Sequence, residues 1–486
     1  MRAAVCALLL AGALAACSDN SARRQVTLAE CRLPRLASAA QCGSIEVAED
    51  RATTGGRRIP IAFAVLPANT LRPRGDPLFM LAGGPGQSAA ALAPLAGMLG
   101  GVRRDRDIVL VDPRGSGKSA PLHCDALAPR DPFDEFANLD AAAAAQRCLA
   151  EIKTAGNADV ALYNTPAYVA DLDAVRAALG YDRINLWGGS YGTRAAQEYL
   201  RRFPQRVRSV VLDGVAPPDL RISLDIWPTR EAALAQLFVA CAETPACKSA
   251  YPDLNATLAG IQKDLAAGRS VHVTDPRTGA PREVKLNFDM VIGALHALIY
   301  APEFASLIPA VLQRAQAGDF APLAAAALTL TDDVNRSMNL PLHYAVTCAE
   351  DAPRISAEDA KQVLATLRAP ALARTNLAAC DGWPRPALPP DFNAPLASDK
   401  PVLILSGGLD PVTPPANGKR VAETLPNSRH VIAAGYGHIV SSHACAPRLI
   451  EKFIDDAGFD TLPQSCLDHL ATSTRPPIFT SLLQTQ

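Results

Sequence analysis

The chain has 486 residues, and its 47 basic side chains nearly balance its 48 acidic ones, for a formal net charge of −1. A nucleic-acid-binding protein needs a basic patch to neutralise phosphates, and no long run of Lys and Arg is present, so this class is excluded. With 49% hydrophobic and 20% charged residues, the chain is expected to bury one large core or two smaller ones.

The N-terminus has the composition of an export signal rather than of a fold element. Residues 1–16 carry one positive charge, at Arg2, followed by an apolar run that ends in small residues. The run closes as Leu-Ala-Ala-Cys, which resembles the lipobox of bacterial lipoproteins. We therefore expect a lipid on Cys17, a tether and N-terminal segment over 17–44, and an anchored protein in the periplasm or cell envelope. Ser18 resembles an outer-membrane sorting signal more than an inner-membrane one.

The cysteines favour disulfide bonds over a metal site. Of the 12 cysteines, Cys6 belongs to the signal and Cys17 to the lipid, which leaves an even number, as is typical of disulfides in exported proteins. Neither a C-x-x-C pair nor an H-E-x-x-H motif is present, so no metal is expected. The sequence does not determine the connectivity, but five close sequential couples are visible: Cys31 with Cys42, Cys124 with Cys148, Cys241 with Cys247, Cys348 with Cys380, and Cys445 with Cys466.

From residue 45 onward, short apolar or β-branched runs alternate with longer Ala-rich helical stretches, which is typical of an α/β protein. The predicted sheet is mostly parallel and flanked by helices, with strands at Ile59–Leu66, Pro77–Leu81, Asp107–Val111, Ile184–Trp187, Val207–Leu212, Pro401–Leu405 and His430–Ala433. Over 215–395 the pattern becomes helical, with no strong strand pair, and predicts an inserted cap. The two parts of the core are then 45–214 and 396–486.

A predicted strand, a sharp turn and a helix surround Ser190. The strand leads into Gly-Gly-Ser-Tyr-Gly at 188–192, and helical sequence follows. This is the nucleophile-elbow arrangement of G-x-S-x-G, in which glycines permit a tight turn that exposes the serine hydroxyl. The alternative is an ordinary glycine turn with an idle serine. We predict that Ser190 is a nucleophile and that the Tyr191 N–H, at the helix N-terminus, stabilises an oxyanion.

A serine hydroxyl is a weak nucleophile at neutral pH, so it needs a base, and the base needs an orienting acid. Where this elbow occurs, the acid and then the histidine follow the serine along the chain, each after a late strand. Asp410 lies just past the strand Pro401–Leu405, and His438 follows the strand His430–Ala433. These are the predicted acid and base. Asp213 is an alternative acid, although its simpler interpretation is a turn or cap residue.

Two further loops precede the elbow. The first, Ala-Gly-Gly-Pro-Gly-Gln-Ser at 82–88, follows an early strand and is predicted to supply a second oxyanion donor from Gly84, with Gly83 as the alternative. The second, at 112–119, ends in the Gly-Lys-Ser string of phosphate loops, but a Walker A motif needs glycine where Asp112 stands. We interpret this segment as structural, with Asp112 and Arg114 bracing the neighbouring loops.

Taken together, these loops resemble the proline iminopeptidase and tripeptidyl aminopeptidase group of α/β-hydrolases, over about residues 45–470. Ala82 departs from the pattern, because many proline iminopeptidases have His at that place. The size of the chain and its cysteines are more similar to the secreted tripeptidyl type. The strings that carry the resemblance are G-G-P-G-Q-S at 83–88, D-P-R-G-S-G-K-S at 112–119, G-G-S-Y-G-T at 188–193, G-G-L-D-P-V-T-P at 407–414 and G-Y-G-H at 435–438.

The resemblance implies an α/β-hydrolase fold and a serine exopeptidase that cuts near the free N-terminus of short peptides. It implies an acyl-enzyme, no cofactor, and a cap that limits access to the site. Such an enzyme must hold the ammonium group of its substrate, which a carboxylate in a partly desolvated cleft can do. The predicted amine site is Glu350 or, failing that, Asp351, and the alternative is a solvated acidic turn.

Two other functions stay open from the sequence alone. A carboxylesterase or amidase uses the same three residues, and a substrate profile restricted to esters would identify it. A non-catalytic envelope lipoprotein would use the fold for binding, although the complete set of Ser190, Asp410 and His438 argues against that function. The expected partners are short peptides, with membrane contact through the lipid.

Overall fold

The computed structural model describes residues 26–128, 140–275, 278–325 and 337–480. The expected signal, Cys17 and the first part of the tether lie outside these residues. Within the described ranges, no helix combines the length and the apolar composition needed to cross a bilayer.

A nine-stranded sheet forms the centre of the molecule. Its strand order is β1-β2-β3-β5-β4-β6-β7-β10-β11, where β4 to β7, β10 and β11 pair in parallel and β1 to β3 are antiparallel. The prediction of a mostly parallel sheet is therefore confirmed. The strands are β1 Ala29–Cys31, β2 Ala40–Ala48, β3 Arg58–Leu66, β4 Leu78–Leu81, β5 Ile108–Val111, β6 Ile184–Gly189, β7 Val207–Asp213, β8 Arg269–Thr274, β9 Pro281–Leu286, β10 Val402–Gly407 and β11 Ser428–Ala433.

Helices cover both faces of this sheet and build the cap. They are α1 Ala93–Met98, α2 Ala141–Ala155, α3 Thr165–Ala178, α4 Tyr191–Arg202, α5 Ile222–Glu243, α6 Pro245–Ala250, α7 Leu254–Asp264, α8 Phe288–Leu298, α9 Pro302–Ala305, α10 Ile308–Gln316, α11 Leu340–Glu350, α12 Ala357–Thr366, α13 Pro370–Ala378, α14 Pro415–Ala422, α15 Ala446–Asp456 and α16 Gln464–Ala471.

The two faces of the sheet have separate apolar cores. Helices α3, α4 and α14 pack on one face, and α1, α15 and α16 pack on the other. Helix α15 shows why: its buried residues Leu449, Ile450, Phe453 and Ile454 repeat at the spacing that gives a helix one apolar face. The central strands are buried on both sides, and they are therefore continuous apolar runs in the sequence, such as Ile108–Val111.

The cap is inserted between β7 and β10 and has an apolar core of its own, built by residues from Leu234 to Ala369. It is mostly helical, as predicted, but it also contains the antiparallel hairpin β8–β9. The sequence showed no strong strand pair in this block, so this hairpin was missed. The buried side chains alternate along each hairpin strand, Val271 and Val273 in β8 and Val284 and Leu286 in β9, but two per strand make the pattern too short to stand out in the sequence.

All five predicted cysteine couples form disulfides in the structure, with Cα–Cα distances between 5.0 and 5.8 Å. The longest loop, between Cys348 and Cys380, joins α11 to the chain just after α13. This bridge holds α11, which lies beside the glycine-rich loop at 82–88, against the last helix of the cap.

Candidate active site

Ser190 lies on the turn between β6 and α4, with φ 56° and ψ −125°. A positive φ is strained for a residue with a side chain, and such strain is typical of a nucleophile elbow. The flanking glycines are required by close backbone approach: a β-carbon on Gly188 would overlap the carbonyl oxygen of Gly192, and one on Gly192 would overlap that of Leu81. The G-x-S-x-G string therefore has the structural context predicted for it.

Asp410 and His438 form a hydrogen-bonded pair. The Oδ2 atom of Asp410 lies 2.9 Å from Nδ1 of His438, and the carboxylate is only 5% exposed. The Asp410 Oδ1 atom accepts hydrogen bonds from the backbone N–H groups of Val412 and Thr413, at 2.8 and 2.9 Å. Thr413 also donates its hydroxyl to Oδ2 at 2.7 Å. The turn after β10 thus fixes the carboxylate, and the carboxylate fixes the imidazole.

The charges of this pair support each other. Burial acts to raise the pKa of Asp410, but the His438 charge and hydrogen bond outweigh it, so the pKa of Asp410 lies below its ordinary value. Burial acts to lower the pKa of His438, but the Asp410 charge and hydrogen bond raise it above its ordinary value. An ionised acid that favours the protonated form of a histidine is the arrangement required of a general base.

Glycines bring the acid loop and the histidine loop into contact. These loops follow the neighbouring parallel strands β10 and β11. A β-carbon on Gly407 would overlap the carbonyl oxygen of Gly437, and one on Gly408 would lie 2.5 Å from the carbonyl oxygen of Ala434. The glycines of G-G-L-D and G-Y-G-H are therefore needed so that the two backbones can approach each other.

Ser190 and His438 approach the same short turn from two sides. The Ser190 N–H donates to the carbonyl of Asp213 at 2.9 Å, and a β-carbon on Gly214 would lie 3.1 Å from Cε1 of His438. Within the described ranges, Ser190 and His438 share no hydrogen bond, and of the two imidazole nitrogens only Nδ1 has a protein partner. Catalytic hydrogen bonds commonly tighten when substrate binds. The three predicted residues thus meet at one end of the sheet.

The glycine-rich loop at 82–88 passes over the elbow. A β-carbon on Gly83 would lie 3.2 Å from Cβ of Ser190. The backbone N–H groups of Gly83, Gly84 and Tyr191 donate no hydrogen bond to the part of the chain that the structure describes. All three are therefore available to a substrate oxygen, so Gly84 and Tyr191 stay the predicted oxyanion donors and Gly83 stays the alternative.

The loop at 112–119 has a bracing function, as its structural interpretation proposed. Asp112 accepts hydrogen bonds from the Ser88 hydroxyl at 2.8 Å and from the Ala89 N–H at 2.9 Å, which anchors the end of the glycine-rich loop. Arg114 makes two hydrogen bonds to Asp171, at 2.7 and 2.8 Å. Asp112 thus anchors the glycine-rich loop, and Arg114 fixes its own loop to α3.

The two predicted amine-binding acids lie at the end of α11, and both are buried, at 1% exposed for Glu350 and 0% for Asp351. The solvated-turn interpretation is therefore wrong. Glu350 accepts from the Thr165 N–H at 2.6 Å, and one nitrogen of Arg194 lies 3.3 Å from Glu350 and 2.9 Å from Asp351. Burial raises the pKa of Glu350 to about 7, against the opposing effect of Arg194. The amine-site assignment stays a prediction, and an incoming ammonium group would share these acids with Arg194.

Two cap residues at the site were not found from the sequence. The Tyr300 carbonyl accepts a hydrogen bond from the His438 N–H at 3.1 Å, and the Tyr300 ring packs edge-on against the imidazole at 5.6 Å between centroids. Arg230, on α5, donates to the Tyr300 hydroxyl at 2.6 Å. No motif marks these positions: Arg230 lies within an ordinary helical stretch, and Tyr300 lies in the turn between α8 and α9. On the same loop as His438, the His443 ring packs against the Tyr436 ring at 5.1 Å between centroids.

Two families of known proteins match the chain. Residues 76–257 match the family described as alpha/beta hydrolase fold, and residues 368–466 match the family described as TAP-like protein. The first match contains the elbow and the oxyanion loop, and the second contains Asp410 and His438.

Individual relatives carry peptidase and esterase names. Serine protease Hip1 of Mycobacterium tuberculosis is 32% identical over 203 residues, which are 38% of each chain. Tripeptidyl aminopeptidase of Streptomyces coelicolor is 32% identical over 37% of this chain and 35% of its own length. The match therefore spans well under half of these two relatives. Carboxylesterase B of Mycobacterium tuberculosis is 30% identical over 427 residues, which are 79% of this chain and 78% of the relative.

Proposed function

We propose, since this chain belongs to the α/β-hydrolase family, that it is a serine exopeptidase that cuts peptide bonds near the free N-terminus of short peptides. The observation that carries this proposal is the fixed Asp410–His438 pair beside the strained Ser190 turn. The names of two relatives, serine protease Hip1 and tripeptidyl aminopeptidase, support peptide substrates.

In the proposed reaction, His438 takes the proton of Ser190 as the hydroxyl attacks the scissile carbonyl. Asp410 keeps the imidazole oriented and stabilises its protonated form. The N–H groups of Gly84 and Tyr191 donate to the oxygen that becomes negative. His438 then protonates the leaving amine, an acyl-enzyme remains on Ser190, and water activated by His438 releases it.

We propose that the cap restricts the site to short or unfolded peptides, and that the substrate ammonium group is held by Glu350 or Asp351. The Arg194 guanidinium contacts both carboxyls, and Arg354 contacts Asp351 as well. An ammonium group would add a positive charge to this acidic pair. Comparing free and N-acetylated peptides on the wild type and on Glu350→Gln tests this role. Equal cleavage of free and acetylated peptides by the wild type would show that no amine is recognised.

The decisive experiment has two stages. An organophosphate should label the wild type and fail to label Ser190→Ala, whose kcat should fall on the order of 10⁶-fold. A panel of aminoacyl, dipeptidyl and tripeptidyl anilides, each with a free and an acetylated N-terminus, then identifies the released fragment. Labelling without hydrolysis of any anilide or peptide would contradict the exopeptidase proposal while leaving a serine hydrolase.

The second candidate is a carboxylesterase, favoured by the relative of that name, whose match covers 79% of this chain. The same three residues would serve it, because ester and amide hydrolysis share the acyl-enzyme. Turnover of short-chain aryl esters together with no release from any peptide would establish this function instead.

We also propose export and lipid anchoring at Cys17. The five disulfides support an oxidising compartment, since such bonds are rare in the cytosol. Cys17→Ser should move the protein from the membrane fraction to the soluble fraction and abolish incorporation of a labelled fatty acid. Retention of both properties in the variant would refute the anchor.

A further inference from the structure

Arg230 is a cation of the cap that is linked to His438 through Tyr300. Its guanidinium carbon lies 5.2 Å from the ring centroid of Trp227 and 5.5 Å from that of Tyr300, so the group is held between two aromatic rings. One terminal nitrogen donates to the Tyr300 hydroxyl at 2.6 Å. The Nε atom is buried and has no hydrogen-bond partner.

Two fully buried arginines of the core are paired with acids. Arg114 contacts Asp171, and Arg194 contacts Asp351. Within the described ranges, no carboxylate lies within 4 Å of Arg230. Removing a guanidinium from water without a counter-charge is unfavourable, so a partly buried, unpaired arginine is suited to an anion that arrives from outside.

The position of Arg230 relative to His438 identifies the part of the substrate that it would meet. Arg230 bonds to Tyr300, and Tyr300 contacts His438 through both its carbonyl and its ring. In the proposed reaction His438 protonates the leaving amine, so the leaving fragment lies on the His438 side of the scissile bond. Arg230 is therefore on the leaving-group side.

We propose that Arg230 binds a carboxylate of the leaving fragment, and thereby selects peptides whose released C-terminal part carries a carboxylate close to the cut bond. The guanidinium matches a carboxylate with two parallel N–H bonds, and the aromatic rings on either side limit its movement. This inference rests on the proposed function and defines the substrate class of the enzyme. The substrates would be short peptides that end one residue after the cut bond, or peptides with an acidic residue directly after that bond.

The test compares pairs of peptides that differ only in this carboxylate. Two peptides carry alanine or alaninamide after the cut bond. A third peptide carries aspartate amide at that position, so its only carboxylate there is the side chain. Comparing the three peptides distinguishes recognition of an α-carboxylate from recognition of an acidic side chain. We expect the wild type to prefer the alanine acid over the alaninamide by roughly 10- to 100-fold in kcat/KM. In Arg230→Gln this ratio should fall close to one.

Arg221→Gln is the matched control. Arg221 lies at the start of the same helix, but it already pairs with Asp225 at 2.8 Å, so its removal should leave the acid-to-amide ratio at the wild-type value. Should Arg230→Gln fail to fold, Arg230→Lys keeps the charge but loses the planar pair of donors, and the ratio should take an intermediate value. A wild-type ratio near one, or an unchanged ratio in the Arg230 variants, would overturn the proposal.

Ester analogues separate this inference from the proposed function. In them, lactate or lactamide replaces alanine or alaninamide, so the cut bond is an ester. Hydrolysis of the esters but not the peptides, with the same preference for the carboxylate, would contradict the peptidase proposal and support Arg230. Cleavage of the alanine peptide and the alaninamide peptide at equal rates would support the peptidase proposal and contradict the role of Arg230.

Discussion

The backbone carbonyl of Asp213 accepts a 2.9 Å hydrogen bond from the Ser190 N–H and so fixes the nucleophile turn to the strand beside it. The buried carboxylate of the same residue accepts from the N–H groups of Val440 at 3.0 Å and Ser441 at 2.7 Å, just after His438. One residue therefore holds both the turn of the nucleophile and the loop of the base. Asp213 is a positioning residue, while Asp410 is the acid that contacts the imidazole.

The first prediction separates these two acids. Asp410→Asn should lower kcat about 10⁴-fold, because it removes the orienting charge from His438. Asp213→Asn should lower kcat less, by roughly 10- to 100-fold, because one of the two oxygens that accept from the Val440 and Ser441 N–H groups is lost while the Asp410–His438 bond remains. Steady-state kinetics of both purified variants gives the comparison. An equal loss in the two variants would mean that Asp213 shares the role of the acid.

The pH profile of the enzyme should have its acidic limb above the ordinary histidine range. The reaction needs neutral His438, and Asp410 raises the pKa of His438. The value of kcat/KM should therefore be low at acidic pH and rise as the pH passes through this raised pKa. In Asp410→Asn the limb should move to lower pH as the plateau falls. An unmoved limb would show that another group controls it.

Glu350 should make the folded state less stable as the pH rises towards neutrality. Burial raises the pKa of Glu350 from 4.5 to about 7, so over this range the folded state keeps a proton that the unfolded chain has lost. The contribution of Glu350 to the free energy of unfolding is fully present below pH 4.5 and is lost by about pH 7. Between pH 4.5 and pH 8, the unfolding free energy of the wild type should therefore fall by about 3 kcal/mol more than that of Glu350→Gln.

Urea unfolding of the wild type and Glu350→Gln at several pH values measures this difference. Glu358→Gln, an exposed acid on α12, is the control and should leave the pH dependence as it is in the wild type. Parallel curves for the wild type and Glu350→Gln would contradict a raised pKa at this carboxyl.

Removal of single disulfides should destabilise the protein according to the loop that each closes. The Cys348–Cys380 bond spans 32 residues of sequence and the Cys241–Cys247 bond spans 6. Loop-closure entropy predicts a loss of about 4 kcal/mol for a Ser pair at the first site and about 2 kcal/mol at the second. Thermal unfolding measures both. A larger loss from the short loop would mean that local packing, not chain entropy, dominates.

Substituting Gly407 should inactivate the enzyme, because a β-carbon there overlaps the carbonyl oxygen of Gly437 in the histidine loop. Gly407→Ala should therefore shift His438 and lower kcat by at least tenfold, as expected for displacement of a catalytic group. Gly260→Ala, in helix α7, is the control: its nearest neighbour is the Gln316 side chain at 3.5 Å, and Ala favours helix. Equal activity in the two variants would contradict the contact between the loops.

The sequence predicted the parts of the site whose local chemistry is restrictive. Strained turns and close backbone contacts demand glycine, so the loops around Ser190, Asp410 and His438 leave strings that can be read without a structure. The central strands were equally visible, because burial on both faces makes them continuous apolar runs.

The remaining features depend on contacts between distant parts of the chain. Strand β1 is mostly exposed and β2 fully buries only Ala40 and Val47, so neither forms a continuous apolar run, and both were missed. Tyr300 and Arg230 reach His438 only through the packing of the cap, which no local pattern records. Glu350 was expected to face a substrate or solvent, but Arg194, far away in sequence, lies against it inside the fold.

The cap insertion separates Ser190 from its two partners by more than two hundred positions, because Asp410 and His438 lie on its far side. A nascent chain leaves the ribosome from its N-terminus, so the elbow emerges long before the imidazole that must activate it. The three side chains can therefore come together only after nearly the whole polypeptide has been synthesised.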